Sequence, residues 1–147
     1  MIFIGGDHRG WRLKEKIKGW LSENNIDFVD VGASSYDQGD DYPDYSIKVG
    51  EKVAMEKGKG IVICGSGVGA CIAANKVKGI RAGLCLLAKQ VRAARNDDDI
   101  NVLVLSADMV SEADNVEMVS VFLETVFGSE ERYIRRINKI KDYERNA

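Results

Sequence analysis

The chain has 147 residues, 45% of them apolar and 30% charged, with a formal net charge of -2. That is enough for one compact domain with its own core, and a near-neutral balance argues against general affinity for nucleic acid or anionic membranes. No apolar run approaches the ~20 residues that cross a bilayer, and the opening MIFIGGDHRG turns polar too soon for a secretory leader. Cys64, Cys71 and Cys85 lack zinc spacing and, with no export signal, read as reduced thiols in the cytoplasm.

Short β-rich runs alternate with helical patterns, and no repeat or long linker interrupts them. Ile2-Phe3-Ile4 reads as a strand ending in Gly5-Gly6-Asp7-His8. A helix follows with Leu13, Ile17, Trp20 and Leu21 on one face. Ile26 to Val31 reads as the second strand. A Gly/Ser/Asp-rich loop leads from it to Tyr42-Pro43, where Pro43 suits the first turn of a helix running to about Lys57. Gly60 to Cys64 is the third strand, and a glycine-rich turn opens a helix at about Val68. Ile80 to Leu86 is the fourth strand, Lys89 to Arg95 a short helix, and Asn101 to Leu105 the fifth strand. Ser111 with Asp114 predicts a capping box for a helix to Phe127. Ser129 is expected to cap a last helix, about residues 129–145, with Ile134, Ile137 and Ile140 on its buried side.

Strands alternating with helices predict an α/β fold in one domain over residues 1–147: a five-stranded parallel sheet covered by helices on both faces, three layers in all. Ligands of such sheets sit beyond the carboxyl ends of the strands. Asp7-His8 and Cys64 to Gly69 fall there. Asp97-Asp98-Asp99 sits instead before the fifth strand and needs its loop, or a second subunit, to come near.

The strongest local signal is Cys64-Gly65-Ser66-Gly67-Val68-Gly69. Glycines spaced this closely let backbone amides point inward at a strand-to-helix turn, and those amides favour negative charge. A cysteine at the head of the turn is expected to have its thiolate favoured, which makes Cys64 a base, with Ser66 and the turn amides able to stabilise an oxyanion. The plainer alternative is a small core cysteine beside glycines that only permit tight packing; Cys71 and Cys85 are read that way. Gly65, Gly67 and Ala70 also fit G-x-G-x-x-A, a dinucleotide fingerprint. Here, though, it follows the third strand, and the next strand ends without the acidic residue that would hold a ribose.

These segments together resemble the type-B ribose-5-phosphate isomerases and the galactose-6-phosphate isomerase subunits. The resemblance rests on Gly6-Asp7-His8, Asp41-Tyr42-Pro43-Asp44-Tyr45, Cys64 to Gly69, Ile72-Ala73-Ala74-Asn75-Lys76, Gly79-Ile80-Arg81-Ala82, Asn101-Val102-Leu103 and the two arginines of the last helix. It implies a Rossmann-like domain, a homodimer (or a dimer of dimers) sharing each active site, and a last helix packed on the partner. It also implies interconversion of aldose and ketose phosphates through an enediolate, with no metal or nucleotide cofactor. Cys64 then matches the base. Gly65, Ser66, Gly67, Val68 and Gly69 match the anion-stabilising loop, with Ser66 in place of the commoner threonine. Asp7, His8 and Tyr42 match sugar contacts. Arg132 and Arg136, on one helical face at i and i+4, match phosphate contacts; without the resemblance they read as a solvated face.

Two positions depart from the family. Asp97 and Asp98 stand where it usually carries a His-Asn pair, the histidine opening the sugar ring, and Asp108 stands where it tends to have an arginine near the phosphate. Asp97 acts as the acid if burial or its acidic neighbours raise its pKa. Alternatively the substrate is acyclic, as a four-carbon sugar phosphate is, or the acidic positions weaken phosphate binding. The plainer reading of the aspartate run is a solvated acidic turn. Three functions therefore stand side by side: a sugar-phosphate isomerase, a non-catalytic sugar-phosphate binder, and a nucleotide-binding module.

Overall fold

A computed structural model describes all residues 1–147. Five strands form the sheet: β1 (Ile2–Gly6), β2 (Phe28–Asp30), β3 (Lys59–Cys64), β4 (Ala82–Leu84) and β5 (Val102–Ser106). Six helices connect and cover them: α1 (Trp11–Glu23), α2 (Tyr42–Glu56), α3 (Val68–Ala74), α4 (Ala88–Asp98), α5 (Glu112–Glu124) and α6 (Glu131–Asn146). Every strand pair is parallel and the order is β2-β1-β3-β5-β4.

The unbroken apolar runs of β1, β3 and β5 form the centre because both their faces are covered. Alternation along each strand sorts the side chains. Ile61, Ile63, Leu103 and Leu105 pack with Leu13, Ile17, Met118 and Phe122 on the α1/α5 side. Val62, Cys64, Val102 and Val104 pack with Val49, Val53, Ala70 and Ala74 on the α2/α3 side. Each large apolar side chain so buried contributes about 1.5–3 kcal/mol. The same alternation turns Cys64 towards α3.

Several boundaries differ from the sequence expectation. β2 and β4 are each three residues long. β2 starts late because Asn25 takes a left-handed conformation, φ 56°. β4 is an edge strand that pairs only with β5. Ser111 caps α5 as expected, its hydroxyl accepting from Asp114 N at 3.1 Å, but the helix stops at Glu124, where Thr125 turns extended and its Oγ1 donates to Val121 O. Ser129 does not cap α6. It sits at φ 57°, its hydroxyl donates to Phe127 O, and Glu130 takes the cap position. Tyr133 and Ile137 form the buried stripe of α6, while Ile134 and Ile140 face outward. α4 runs through Asp98 rather than ending at Arg95, because Asp99 adopts the left-handed cap at φ 47° and binds Arg95 Nη1 at 2.8 Å. Asp97 and Asp98 are therefore the last turn of a helix, not a loop, and Asp99 is paired with Arg81 and Arg95 rather than simply solvated.

One packed charge was invisible in the pattern. Lys14 on α1 is fully buried, its Nζ 3.0 Å from Asp30 Oδ2 and 3.2 Å from Ala33 O, over the Trp11 ring. Asp30 also takes Lys18 and the Gly32 N–H. This network pins the end of β2 and the start of the long loop to α1.

Candidate active site

Chain order places β2 on one side of β1 and β3 on the other, so the crevice of the sheet opens between the carboxyl ends of β1 and β3. Gly6 pairs with Ile63 there, and Cys64 with Ser106 of β5. Asp7, His8, Cys64 and the residues after Ser106 therefore converge from three neighbouring strands.

The turn after Cys64 has the backbone its glycines predict. Gly67 sits at φ 85°, a conformation that side chains disfavour. Tyr42, at the start of α2, lays its ring against Gly69; a β-carbon there would stand 2.5 Å from the ring. The loop after β5 clamps the other side: Ala107 N donates to Cys64 O and Asp108 N to Gly65 O, both at 3.0 Å. Beneath it, the buried Ser106 hydroxyl donates to Gly65 O at 2.7 Å and Asn115 holds Ser106 O. Ser66 is exposed at the tip, its Oγ accepting from Val68 N at 3.4 Å.

Cys64 is only 4% exposed. Burial pushes its thiol above the ordinary value; the N–H groups of Ala70 and Gly67 and the charge of Arg9 pull it back, and the nearby Asp7 adds to the rise. The sequence expectation that the turn would favour the thiolate is corrected: the amides act as foreseen, but desolvation of a thiol set on a packed β-strand outweighs them in the isolated chain. α3 has seven residues, so its dipole adds little to those contacts.

At the mouth, Asp7 is buried, and its Oδ1 accepts from Arg9 N and Gly10 N, both at 3.1 Å, which fixes the turn after β1. His8 is oriented by Asp40, whose Oδ1 lies 2.8 Å from both the backbone N and Nδ1 of His8. Nε2 is left as the outward nitrogen. Asp7, His8 and Asp40 have ligand atoms within 4.8 Å of one another, and these hydrogen bonds account for the grouping. The Asp40 hydrogen bond raises the His8 pKa above 6.5, assisted by the charge of Asp7. Because the folded value is the higher one, the stabilisation from this pair is complete below about 6.5 and fades as pH rises through the folded value. His8 is the only histidine, so its imidazole proton signals titrate without overlap in NMR. A midpoint above 6.5 is expected, falling on Asp40→Asn; an unchanged midpoint in that variant would show that the pair does not form in solution.

The structure thus brings together Asp7, His8, Tyr42, Cys64, Gly65, Ser66, Gly67, Val68 and Gly69. It does not bring Asp97, Asp98, Arg132 or Arg136 to them within one chain. Asp97 and Asp98 close α4 at the amino end of β5, and that strand alone separates them from the carboxyl ends by roughly 13 Å. Arg132 lies within electrostatic reach of Asp97 and binds the Tyr133 hydroxyl and Glu130. Arg136 is exposed one turn further along α6. Asp97 accepts from Asn96 Nδ2 at 2.8 Å. Sequence reading missed Arg9, Asp40 and Ser106; only Asp40, beside the quoted Asp41-Tyr42-Pro43 segment, lay near a signal that could have found it.

A parallel α/β sheet with a thiol at its switch point, set among inward-pointing amides, defines an α/β protein built to handle a small ligand carrying negative charge. Comparison with known proteins sharpens that class. The model of the family described as Ribose/Galactose Isomerase matches residues 2–140. A probable ribose-5-phosphate isomerase B of Mycoplasma genitalium is 44% identical over 148 residues, covering 99% of this chain and 97% of that one. A putative sugar phosphate isomerase of Bacillus subtilis is 38% identical, covering 97% and 96%. The crystal structure of ribose-5-phosphate isomerase B from M. genitalium with bound ribulose 5-phosphate matches with a TM-score of 0.95 at 42% identity, covering 99% of this chain and 97% of that one. The chain belongs to the Ribose/Galactose Isomerase family.

Proposed function

We propose that the protein interconverts ribose 5-phosphate and ribulose 5-phosphate, with Cys64 as the base. The carrying observation is the position of Cys64: a thiol at the sheet's switch point, facing the Gly67 and Ala70 amides. In this reading the Cys64 thiolate removes the proton from C2 of the open aldose. The C–H electrons form the C1–C2 double bond and the carbonyl electrons move to O1, giving an enediolate held by the amides of Gly65 to Gly69 and the Ser66 hydroxyl. The O2 proton passes to O1, the electrons left on O2 form the C2 carbonyl, and the C1–C2 double-bond electrons take the proton back from the thiol at C1, which restores the thiolate. Nothing is oxidised or reduced overall.

A homodimer with shared sites fits the placement of the remaining residues. Asp97, Asp98, Arg132 and Arg136 lie away from Cys64 in their own chain, so a second chain would supply them, Asp97 as ring-opening acid and the arginines to the phosphate. Exposed apolar side chains on α3, Val68 and Ile72, and after β4, Leu86 and Leu87, offer it a surface. No helix is long and apolar enough to cross a membrane. A cytoplasmic place in sugar-phosphate metabolism and a reaction without a cofactor are parts of the same proposal.

The test is a coupled assay over four-, five- and six-carbon sugar phosphates. Ribose 5-phosphate is expected to give the highest kcat/KM. A clear preference for a four-carbon substrate would instead favour the acyclic reading raised by Asp97, and turnover of none would leave a binding protein.

A further inference from the structure

The turn after β1 places a cation where no motif announced one. Arg9 reaches across to β3 and fills the space in front of Gly65; a β-carbon on Gly65 would stand 2.8 Å from its Nη1. Its Nη2 pairs with Asp108, the same residue whose backbone N–H holds Gly65 O. Arg9 and Asp108 thus frame the first peptide of the amide turn from two different strands. Both remain open to solvent, the side chains 57% and 38% exposed.

We propose that Arg9 binds the phosphate of the substrate at the mouth of the Cys64 turn, and that Asp108 is a positioning residue that aims it. This deepens the isomerase reading and rests on it for the identity of the phosphate-bearing ligand. Three observations support it. First, a guanidinium has five N–H donors, and the pair with Asp108 engages Nη2 alone, so the N–H groups of Nη1 and Nε, both beside Gly65, are left to bond a ligand. Second, Arg9 is the cation that acts on the Cys64 thiol, so its charge is felt where the substrate must lie. Third, Asp7, Asp40 and Asp108 would otherwise surround the mouth with carboxylates, and an unpaired Asp108 beside the turn would repel a phosphate ester. Arg9 reverses the sign of that corner, next to the Nε2 that His8 presents.

The experiment measures KM, kcat and melting temperature, together with the affinity for inorganic phosphate by calorimetry, for the wild type, Arg9→Ala, Arg9→Lys, Asp108→Asn and the double variant Arg9→Ala/Asp108→Asn. Arg9→Ala is expected to raise both KM and the phosphate Kd by about 10- to 100-fold, with kcat within a few-fold. Arg9→Lys recovers part of the loss, since it keeps the charge without the fork. The double variant binds phosphate more tightly than Arg9→Ala alone, because the orphaned carboxylate is gone. Phosphate affinity and KM within twofold of wild type in Arg9→Ala would overturn the proposal. So would a loss of kcat and melting temperature with phosphate affinity intact, which marks a merely structural arginine. If the wild type binds phosphate, Arg9→Ala does not, and no sugar phosphate is turned over, the Arg9 assignment stands and the isomerase reading falls.

Discussion

A Cys64→Ala variant is expected to lose turnover by about 10²- to 10⁴-fold while binding substrate within a few-fold of wild type. The range is that of removing a proton-transfer group from a positioned site, and the thiol is the one titratable group facing the Gly67 and Ala70 amides. Its volume is small and its removal leaves Val62, Ala70 and Val104 in place around it, so the fold persists and the measurement reads chemistry. Serine is no substitute, because a hydroxyl is not appreciably ionised at any working pH. The pH profile carries a second part of the expectation. Burial holds the thiol above its ordinary value, so the reactive thiolate is a minority near neutrality and kcat/KM is expected to climb as pH rises above 7. Cys64→Ala turning over within a few-fold of wild type would remove the mechanism; a kcat/KM already flat from pH 6 to 8 would mean that a second chain or the substrate lowers the thiol pKa.

Asp30→Ala is expected to be the most damaging substitution outside the site. It strips the carboxylate from Lys14, which is fully buried and keeps only Ala33 O as an acceptor. Breaking a buried pair from one side costs about 3–5 kcal/mol, a large part of the 5–15 kcal/mol by which a typical domain is stable. At about 2–4 °C per kcal/mol for a domain of this size, the melting temperature falls by roughly 6–20 °C. The double variant Lys14→Met/Asp30→Asn should recover most of that, since no buried charge is left unpaired and Lys18 is free to hydrate. Acid acts on the same pair. Desolvation raises the Asp30 pKa, but Lys18, Lys14 and the Gly32 N–H together outweigh it and the net shift is downward. The contribution is therefore present above the unfolded value of about 3.9 and is lost as pH falls through the lower folded one. A thermal melt of Asp30→Ala within 2 °C of wild type would show that the buried ammonium finds other partners.

Much of the candidate site around Cys64 was legible as a local arrangement because its signals are local. Short unbroken apolar runs mark the central strands, and glycines at alternate positions after Cys64 mark the turn that follows β3. Ser111 with Asp114 capped a helix where its spacing said it would. Local reading failed where two segments compete. Ser129 has a good capping side chain but is held at positive φ. Asp97 and Asp98 look like a polar loop but are drawn into α4 by the Arg95–Asp99 pair one turn on. The thiol pKa failed for another reason: the amides are written in the local sequence, whereas desolvation is the sum of everything packed around the strand end.

By itself the sequence determined the alternation of strands and helices, the thiol at the head of an amide-lined turn, and the family, because each depends on residues within a few positions of one another or on order along the chain. The tertiary structure alone decided that Arg9 and Asp108 meet in front of Gly65, that Asp40 orients His8, that Lys14 is buried against Asp30, and that Asp97 and Arg132 stand at the far end of the sheet from Cys64. Those relations join residues from different strands and loops. Charge and hydrogen bonding act through space, so they are fixed only once the order β2-β1-β3-β5-β4 has brought those segments to one end of the sheet or the other.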